Sequence, residues 1–345
     1  MNIHDLHASA LSDANYNEDG LVLSSGYEDT MNGAVLPYLR SHRTDEKITR
    51  DGCALFTSRF VPDGEPRGTV MIVHGFTENT DKYAEIIHSL LHSGWCVLSY
   101  DQRGHGRSWR KPGLKDLSVT HVDRFEDYVK DLGFVVSHLL KAMPAPHMLF
   151  CHSMGGAVSA LFLESSPDVF EKAVFSSPMI APNLGGAPAG LVRAVCRVPS
   201  ALGHGSRRAF ISRPYKGPED FETSCASGRE RFDWYEKLRA ANPLFQNNGP
   251  SYAWAREAIG VTVKILAPDM PERIRIPVRV FGAENDGSVI TPMEEAFASR
   301  LPSGTFRIIP GSKHEIYRSP DSVLFPWWHE VLHFYAGQKD QGRNA

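Results

Sequence analysis

Short apolar runs rich in β-branched residues alternate with helix-patterned segments along most of this chain. The runs at 69–75, 95–101 and 147–151 are largely apolar without alternation, as strands buried on both faces are. Between them lie segments such as 83–94 and 121–143, whose apolar residues recur at helical spacing. Strands that alternate with helices predict an α/β fold with a mostly parallel central sheet and helices on both faces.

The alternation stops between residues 183 and 265 and then resumes. This stretch contains helix-like pieces, glycines, prolines and arginines, but no clear buried strand. We interpret it as a helical cap inserted between two strands rather than as an independent domain. The predicted organisation is an arm of unassigned role at 1–50, an α/β core formed by 51–182 and 266–338, and a cap at 183–265.

Composition and charge argue against several classes of protein. A net charge of −3 over 345 residues gives no basic signal, so we expect no nucleic-acid partner. The five cysteines are scattered without a CxxC pair, which argues against a zinc site or a disulfide framework and suits a reducing compartment. The N-terminus lacks a signal-peptide pattern, and no window is apolar for the length of a membrane span. We therefore expect a cytoplasmic protein, and peripheral contact with the inner membrane face stays open. Nothing in the sequence predicts an oligomeric state.

The segment MLFCHSMGGAVSA at 148–160 places a serine between a buried strand and a helix of small residues. This is the context of a nucleophile elbow, a tight turn that exposes the serine hydroxyl at the carboxyl edge of the sheet. Gly155 and Gly156 supply the small residues that are needed where strand and helix approach closely. Cys151 stands where the G-x-S-x-G pattern has glycine, and we interpret it as an inert buried thiol. Ser153 is therefore a candidate nucleophile, with a structural turn serine as the alternative.

Two later loops supply the partners that a serine nucleophile needs, first an acid and then a histidine. Asp286 follows a predicted strand in GAENDGSVI, and His314 follows the next one in GSKHEIY. Glu284 is the alternative acid. An oxyanion hole needs two N–H donors. The candidates are the amides of Met154, directly after the serine, and Phe76, in the loop HGFTENTDKY.

Five segments of the chain together resemble one branch of the α/β-hydrolases, the monoacylglycerol lipases and bacterial lysophospholipases, which overlaps with proteins called serine aminopeptidases. The segments are IVHGFTENTDKY, SYDQRGHGRS, CHSMGGA, GAENDGSV and GSKHEIY. The resemblance implies an α/β-hydrolase fold with an inserted cap, hydrolysis of a single-chain lipid ester through an acyl-enzyme, and no metal or organic cofactor. It also implies Ser153 as nucleophile, His314 as base, Asp286 as orienting acid, and the amides of Phe76 and Met154 as oxyanion donors.

Other functions remain alternatives at this stage. An aminopeptidase or an acyltransferase could use the same site, and a catalytically silent fold could only bind. An aminopeptidase needs a carboxylate that holds the substrate amine, for which Glu219, Asp220 and Glu222 in the cap are candidates.

The cap side chains also allow two interpretations each. Its nine arginines form either a solvated face or a surface for phosphate head groups and anionic membrane; they are Arg193, Arg197, Arg207, Arg208, Arg213, Arg229, Arg231, Arg239 and Arg256. Several apolar residues line either an acyl pocket or the cap's own core; they are Leu191, Val192, Val195, Phe210, Phe232, Trp234 and Tyr235. In the core segment DQRGHGRS, we expect Asp101, Arg103 and His105 to hold loops through buried hydrogen bonds.

Overall fold

A computed structural model describes residues 13–209 and 212–337 of the chain. Within these residues, eight strands form one sheet. The strands are β1 (Arg43–Arg50), β2 (Cys53–Phe60), β3 (Thr69–Val73), β4 (Cys96–Tyr100), β5 (His147–His152), β6 (Lys172–Ser176), β7 (Val278–Asn285) and β8 (Gly304–Lys313). The α-helices are α1 (Tyr27–Thr30), α2 (Leu36–His42), α3 (Ala84–His92), α4 (Glu126–His138), α5 (Met154–Ser165), α6 (Ala189–Pro199), α7 (Arg229–Ala241), α8 (Tyr252–Ile265), α9 (Thr291–Ser299) and α10 (Asp321–Ala336).

The sheet has the strand order β1-β2-β4-β3-β5-β6-β7-β8. The pairs β1–β2 and β2–β4 are antiparallel, and the five pairs from β4–β3 to β7–β8 are parallel. Every residue of β3 and β4 is buried, which explains why these segments are largely apolar without alternation in the sequence. The predicted mostly parallel sheet is confirmed.

Helices cover both faces of this sheet, as the sequence predicts. On one face, α4, α5 and α9 pack against side chains such as Met71 and Leu149. On the other face, α3 and α10 pack against Val70 and Ile72. Each such apolar side chain stabilises the fold by about 1.5–3 kcal/mol when it leaves water. Of the helices in the described residues, none has both the length and the apolar character that crossing a membrane requires.

The structure gives a role to much of the predicted arm at 1–50. Residues 43–50 form β1, the edge strand that pairs with β2, so the sheet begins before residue 51. The preceding helical segment, from α1 to α2, buries Tyr27, Met31, Val35 and Leu39 in the core on the α3 side of the sheet. Residues 1–12 of the arm lie outside the described residues.

The chain between β6 and β7 contains α6, α7 and α8. Its described residues form no strand of the sheet. We keep 183–265 as the proposed limits of the cap. All three helices therefore fall within these limits.

Candidate active site

Ser153 occupies a strained turn between β5 and α5. Its backbone angles, φ 50° and ψ −120°, lie in a sparsely populated region that costs a non-glycine residue about 1–3 kcal/mol. Two hydrogen bonds hold the turn: the Ser153 amide donates to the Ser176 carbonyl (3.1 Å), and the Met179 amide donates to the Ser153 carbonyl (2.8 Å). The helix also packs tightly on the sheet, because a Cβ at Gly155 would lie 2.1 Å from the Val73 carbonyl oxygen. This geometry is that of a nucleophile elbow.

Three of the predicted site residues form one hydrogen-bonded chain. Asp286 directly follows β7 and His314 directly follows β8, so both lie at the same edge of the sheet as Ser153. The Nε2 atom of His314 is 2.8 Å from the Ser153 hydroxyl oxygen. Its Nδ1 atom is 2.7 Å from Oδ2 of Asp286. Serine, histidine and acid are thus arranged as an acyl-transfer triad requires.

The electrostatics of Asp286 fix the tautomer of His314. Burial opposes ionisation of the carboxyl group, but His314 and the amides of Ser288 and Val289 outweigh it and lower the pKa of Asp286. Those two amides donate to Oδ1 at 2.8 and 3.0 Å. An ionised carboxylate accepts hydrogen bonds only, so Nδ1 of His314 carries the proton. In the neutral imidazole, Nε2 is then free to accept the proton of Ser153.

Two neighbouring residues could have competed for these positions. Glu284, the alternative acid, accepts a hydrogen bond from the Gly311 amide (2.8 Å) and so braces a loop rather than His314. The ring of His152 lies 4.8 Å from that of His314. Burial lowers the pKa of His152 to about 4, so it adds no positive charge beside His314 at neutral pH.

The two amides predicted to form an oxyanion hole lie on either side of the serine turn. Met154 is the first residue of α5, so its N–H is one of the helix's unpaired N-terminal donors. Phe76 lies in the loop after β3, and a Cβ on the preceding Gly75 would lie only 3.1 Å from Cβ of Ser153. Within the described part of the chain, neither amide has a protein acceptor. Both N–H groups are therefore free to donate to a substrate oxygen.

Ser153 and His314 line a cavity of about 300 Å³ between core and cap. Its walls are largely apolar and include Met179 of the core, Val192 of α6 and Trp254 of α8. The cavity is therefore suited to an apolar group positioned beside the serine hydroxyl.

The cap residues proposed for an acyl pocket divide into three groups. Val192 lines the cavity. Leu191 and Val195, on the same helix, are 61% and 43% exposed. The aromatic residues of α7 are buried in the cap's contacts with the rest of the protein; they are Phe232, Trp234 and Tyr235. Phe210 lies outside the described residues. Val192 is therefore placed where an acyl-pocket residue would lie, and α8 supplies walls that the sequence did not single out.

The three residues expected to hold loops do so through buried hydrogen bonds, and Nδ1 of His105 lies 3.1 Å from the Arg103 carbonyl oxygen. Asp101 accepts the amides of Thr80 and Arg107, each at 2.8 Å. Arg103 forms a two-pronged ion pair with buried Asp131. Cys151 is fully buried, and burial raises the pKa of its thiol well above the ordinary value, so this thiol is held protonated.

The sequence analysis missed a buried charged cluster beside the site, formed by Glu78, Lys82 and Glu315. Lys82 Nζ lies 3.0 Å from Glu78 and 2.6 Å from Glu315. Burial lowers the pKa of Lys82, but the two carboxylates outweigh it and raise that pKa above its ordinary value. The available signal was the pattern of charges in TENTDKY, directly after a buried strand, and in KHEIY.

Most of the chain matches a family of known proteins. Residues 64–321 match the model of the family described as serine aminopeptidase, S33. Lysophospholipase L2 of Escherichia coli strain K12 is 30% identical over 285 residues, which cover 77% of this chain and 79% of that protein. The monoacylglycerol lipase of Mycolicibacterium smegmatis is 25% identical, with 77% of this chain and 87% of that protein covered.

The fold is also similar to that of a solved lipase structure. The crystal structure of Paleococcus ferrophilus monoacylglycerol lipase matches with a TM-score of 0.63 at 22% identity, over 83% of this chain and 99% of that one. This likeness supports the α/β-hydrolase fold, and the sequence matches establish the family. The chain therefore belongs to the serine aminopeptidase S33 family of α/β-hydrolases.

Proposed function

We propose that this enzyme is a serine carboxylester hydrolase that acts on single-chain lipid esters, of the lysophospholipase or monoacylglycerol lipase type. The observation that carries the proposal is the hydrogen-bonded chain Ser153–His314–Asp286 at the wall of an apolar cavity. The names of the relatives, a lysophospholipase and a monoacylglycerol lipase, support the same class of substrate.

In the proposed mechanism, Ser153 attacks the ester carbonyl carbon while Nε2 of His314 takes the hydroxyl proton. Asp286 stabilises the imidazolium that forms. The amides of Phe76 and Met154 donate to the oxyanion of the tetrahedral intermediate. His314 then returns the proton to the leaving alcohol, and the acyl group stays on Ser153. Water, deprotonated by His314, attacks this acyl-enzyme and releases the fatty acid.

Cavity size and lining support a single-chain substrate. A volume of about 300 Å³ is at the lower end of the range for small-molecule sites, roughly 300–1,000 Å³. The carboxylates considered for an aminopeptidase are placed elsewhere. Glu219 pairs with Arg239 (2.6 Å), and Asp220 accepts the amide of Glu222 (3.1 Å). None of these three residues lines the cavity, so they give no support to an amine-binding role.

We further propose that the cap contacts lipid aggregates through α6. Four exposed apolar side chains follow one another at spacings of four, three and four residues, which places them on one helical face. They are Leu191, Val195 and Val198 of α6 and Leu202 of the π-helical turn Ser200–His204 that follows it, and we call them the α6 apolar surface. Its neighbour Val192 lines the cavity, so the surface borders the site. Exposed apolar patches of this kind mark lipid or protein contacts.

The test is release of fatty acid from lysophosphatidylcholine and from monoacylglycerol that carry the same acyl chain. We expect release from at least one, and a loss of about 10⁶-fold in Ser153→Ala, as for the loss of other serine nucleophiles. Ser159→Ala is the matched control, because Ser159 is a buried serine of the same helix. It is not among the residues that line the cavity, so we expect this variant to keep its activity.

The outcomes separate the proposed functions. Equal release by the wild type and Ser153→Ala would remove the serine mechanism. Cleavage of an aminoacyl p-nitroanilide, with both lipid esters inert, would replace the esterase by a peptidase. Transfer of the acyl group to an added alcohol faster than to water would make the enzyme an acyltransferase.

A further inference from the structure

Glu78 is a buried carboxylate in the loop between β3 and α3, and it accepts four hydrogen bonds. Its Oε2 accepts from the Gly75 amide (2.6 Å) and the Tyr83 hydroxyl (2.5 Å). Its Oε1 accepts from the Tyr317 hydroxyl (2.6 Å) and from Nζ of Lys82 (3.0 Å). Only 2% of the residue is exposed. Burial opposes its ionisation, but Lys82 and the hydrogen bonds from the two phenols outweigh this and hold the pKa of Glu78 well below its ordinary value.

One side of this carboxylate holds the loop that carries the Phe76 amide. The loop is under strain, because Thr77, a β-branched residue, has φ 63°. Gly75, one residue before Phe76, is confined between Glu78 and the serine turn. A Cβ at this position would lie 2.9 Å from the Glu78 carboxylate and 3.1 Å from Cβ of Ser153. Strained backbone persists only where its surroundings fix it, and the Glu78–Gly75 hydrogen bond is such a contact.

The other side holds the loop that carries His314. Tyr317 is three residues after His314, and its hydroxyl donates to Glu78. Lys82 bridges Glu78 to Glu315, the residue directly after His314. The same carboxylate is thus connected to the oxyanion loop and, by two routes, to the loop of the base.

We propose that Glu78 is a positioning residue that fixes the Phe76 amide and the His314 imidazole relative to each other and to Ser153. This inference rests on the proposed function, in which the Phe76 amide donates to the oxyanion and His314 accepts the proton of Ser153. It places Glu78 outside the reacting atoms. Its contribution is to geometry: displacements of about 1 Å in such sites cost up to about 10²-fold in rate.

The test variant is Glu78→Gln, which keeps the size of the side chain and removes its charge. Lys82 retains Glu315 as an ion-pair partner, which favours folding of the variant. We expect kcat to fall by about 10- to 100-fold, with KM changed by no more than about threefold, since the ground state does not use the oxyanion donors. Affinity for a trifluoromethyl ketone, which forms a tetrahedral adduct with the serine, should fall in parallel. Affinity for a non-hydrolysable alkyl ether of the same chain should hold.

Glu85→Gln is the matched control. Glu85 is also buried and accepts hydrogen bonds from Arg231, Tyr27 and the Val22 amide, and none of these donors belongs to a catalytic loop. We expect it to lower stability and leave kcat unchanged per active site, with active sites counted by fluorophosphonate labelling of Ser153. A structural effect of removing a buried charge would act equally in both variants.

The outcomes distinguish this inference from the proposed function. A wild type that hydrolyses no ester overturns both. An active wild type, with kcat and ketone affinity unchanged in Glu78→Gln, overturns only the positioning role. If Glu78→Gln does not fold, Tyr317→Phe replaces it, because it removes one donor to the same carboxylate. Here a loss of about 3- to 10-fold in kcat with parallel loss of ketone affinity is expected, and unchanged values contradict the inference.

Discussion

Two helices of the cap, α6 and α7, differ in a way that reverses what their sequences suggest. α6, AGLVRAVCRVP, is apolar, but Cys196 is its only buried residue. α7, RERFDWYEKLRAA, is rich in charge, but six of its thirteen residues are buried. Hydropathy alone would have placed α6 inside and α7 at the surface.

Long-range ion pairs explain the burial of α7. Arg231 is 1% exposed and donates to Glu85 of α3, to Asp321 of α10 and to the Val22 carbonyl of the N-terminal segment. Arg318 donates to backbone carbonyl groups of α7, including that of Arg231. Each buried guanidinium is paired, as the cost of desolvating a charge requires. α7 is therefore fixed to three other parts of the protein.

Within the described residues, α6 makes no comparable ion pair; it packs on α8 and exposes its apolar face. Val192 and Cys196 of the same helix line the cavity, so the α6 apolar surface borders it. The comparison therefore assigns different tasks to the two helices. α7 is a fixed part of the scaffold, and α6 separates the substrate cavity from the proposed lipid surface.

The sharpest test of this contrast removes one arginine from each helix. Arg231→Met should lower the free energy of unfolding by about 3–5 kcal/mol, because Glu85 is left buried without its cation. Arg197→Met, at an exposed position of α6, should change it by less than about 0.5 kcal/mol. Urea unfolding measures both. Similar losses in the two variants would end the distinction between a fixed and an unanchored helix.

Features that depend on local sequence and chain order could be predicted, whereas features that depend on distant partners could not. Ser153, Asp286 and His314 each directly follow a strand of the parallel sheet, so local pattern and chain order were enough to bring them together. The family resemblance added the choice of Asp286 over Glu284, and the hydrogen bond to His314 agrees with it.

The features that were not predicted depend on distant partners. β1, RTDEKITR, is a polar edge strand that exists through its pairing with β2, and nothing local marks its alternating burial as a strand. Arg231 and Glu85 are 146 residues apart. Nine cap arginines therefore looked alike in the sequence, although Arg208, Arg231 and Arg239 pair with carboxylates of the protein and are not available to lipid.

The second prediction concerns the apolar face of α6. Leu191→Ser combined with Leu202→Ser should weaken binding to phospholipid vesicles by about 100-fold, at roughly 1.5 kcal/mol or tenfold for each leucine. Turnover of a short soluble ester and the midpoint of unfolding should be the same in this variant as in the wild type. Co-sedimentation with vesicles is the measurement.

The matched control for this pair uses exposed residues of the α/β core, outside the cap. Val61→Ser combined with Ile308→Ser removes two apolar side chains that are 49% and 46% exposed. We expect no change in vesicle binding. A loss equal to that of the α6 variant would mean that exposed apolar area in general, and not α6, determines the binding.

The third prediction uses pH to separate the two regions. Burial raises the pKa of Glu315, but Lys82 and Arg318 outweigh it and lower that pKa from 4.5 to about 2. The folded state thus binds fewer protons, so the contribution of Glu315 to stability is present above pH 4.5 and is lost as the pH falls towards 2. The slope for one such group is at most about 1.4 kcal/mol per pH unit.

Arg318 connects Glu315 to α7, so protonation of Glu315 at low pH should weaken the contacts that hold α7. Residues 189–204, which include α6, contain no carboxyl group. The free energy of unfolding of the wild type, measured with urea, should fall more steeply between pH 4.5 and pH 2 than that of Glu315→Gln. Parallel curves for the two proteins would show that Glu315 is not held ionised by this cluster.

The smallest expected effect compares an exposed arginine from each helix. Arg197→Gln should weaken binding to anionic vesicles by about fivefold, because a cation near an anionic surface contributes about 1 kcal/mol. Binding to zwitterionic vesicles should not change, and added salt should reduce the difference. Arg229→Gln is the control, since this arginine of α7 is 59% exposed but pairs with Asp233 on its own helix. Equal losses in the two variants would indicate that the membrane senses the net charge of the cap. A loss confined to Arg197→Gln would place the lipid contact on α6, the helix whose apolar side chains are exposed.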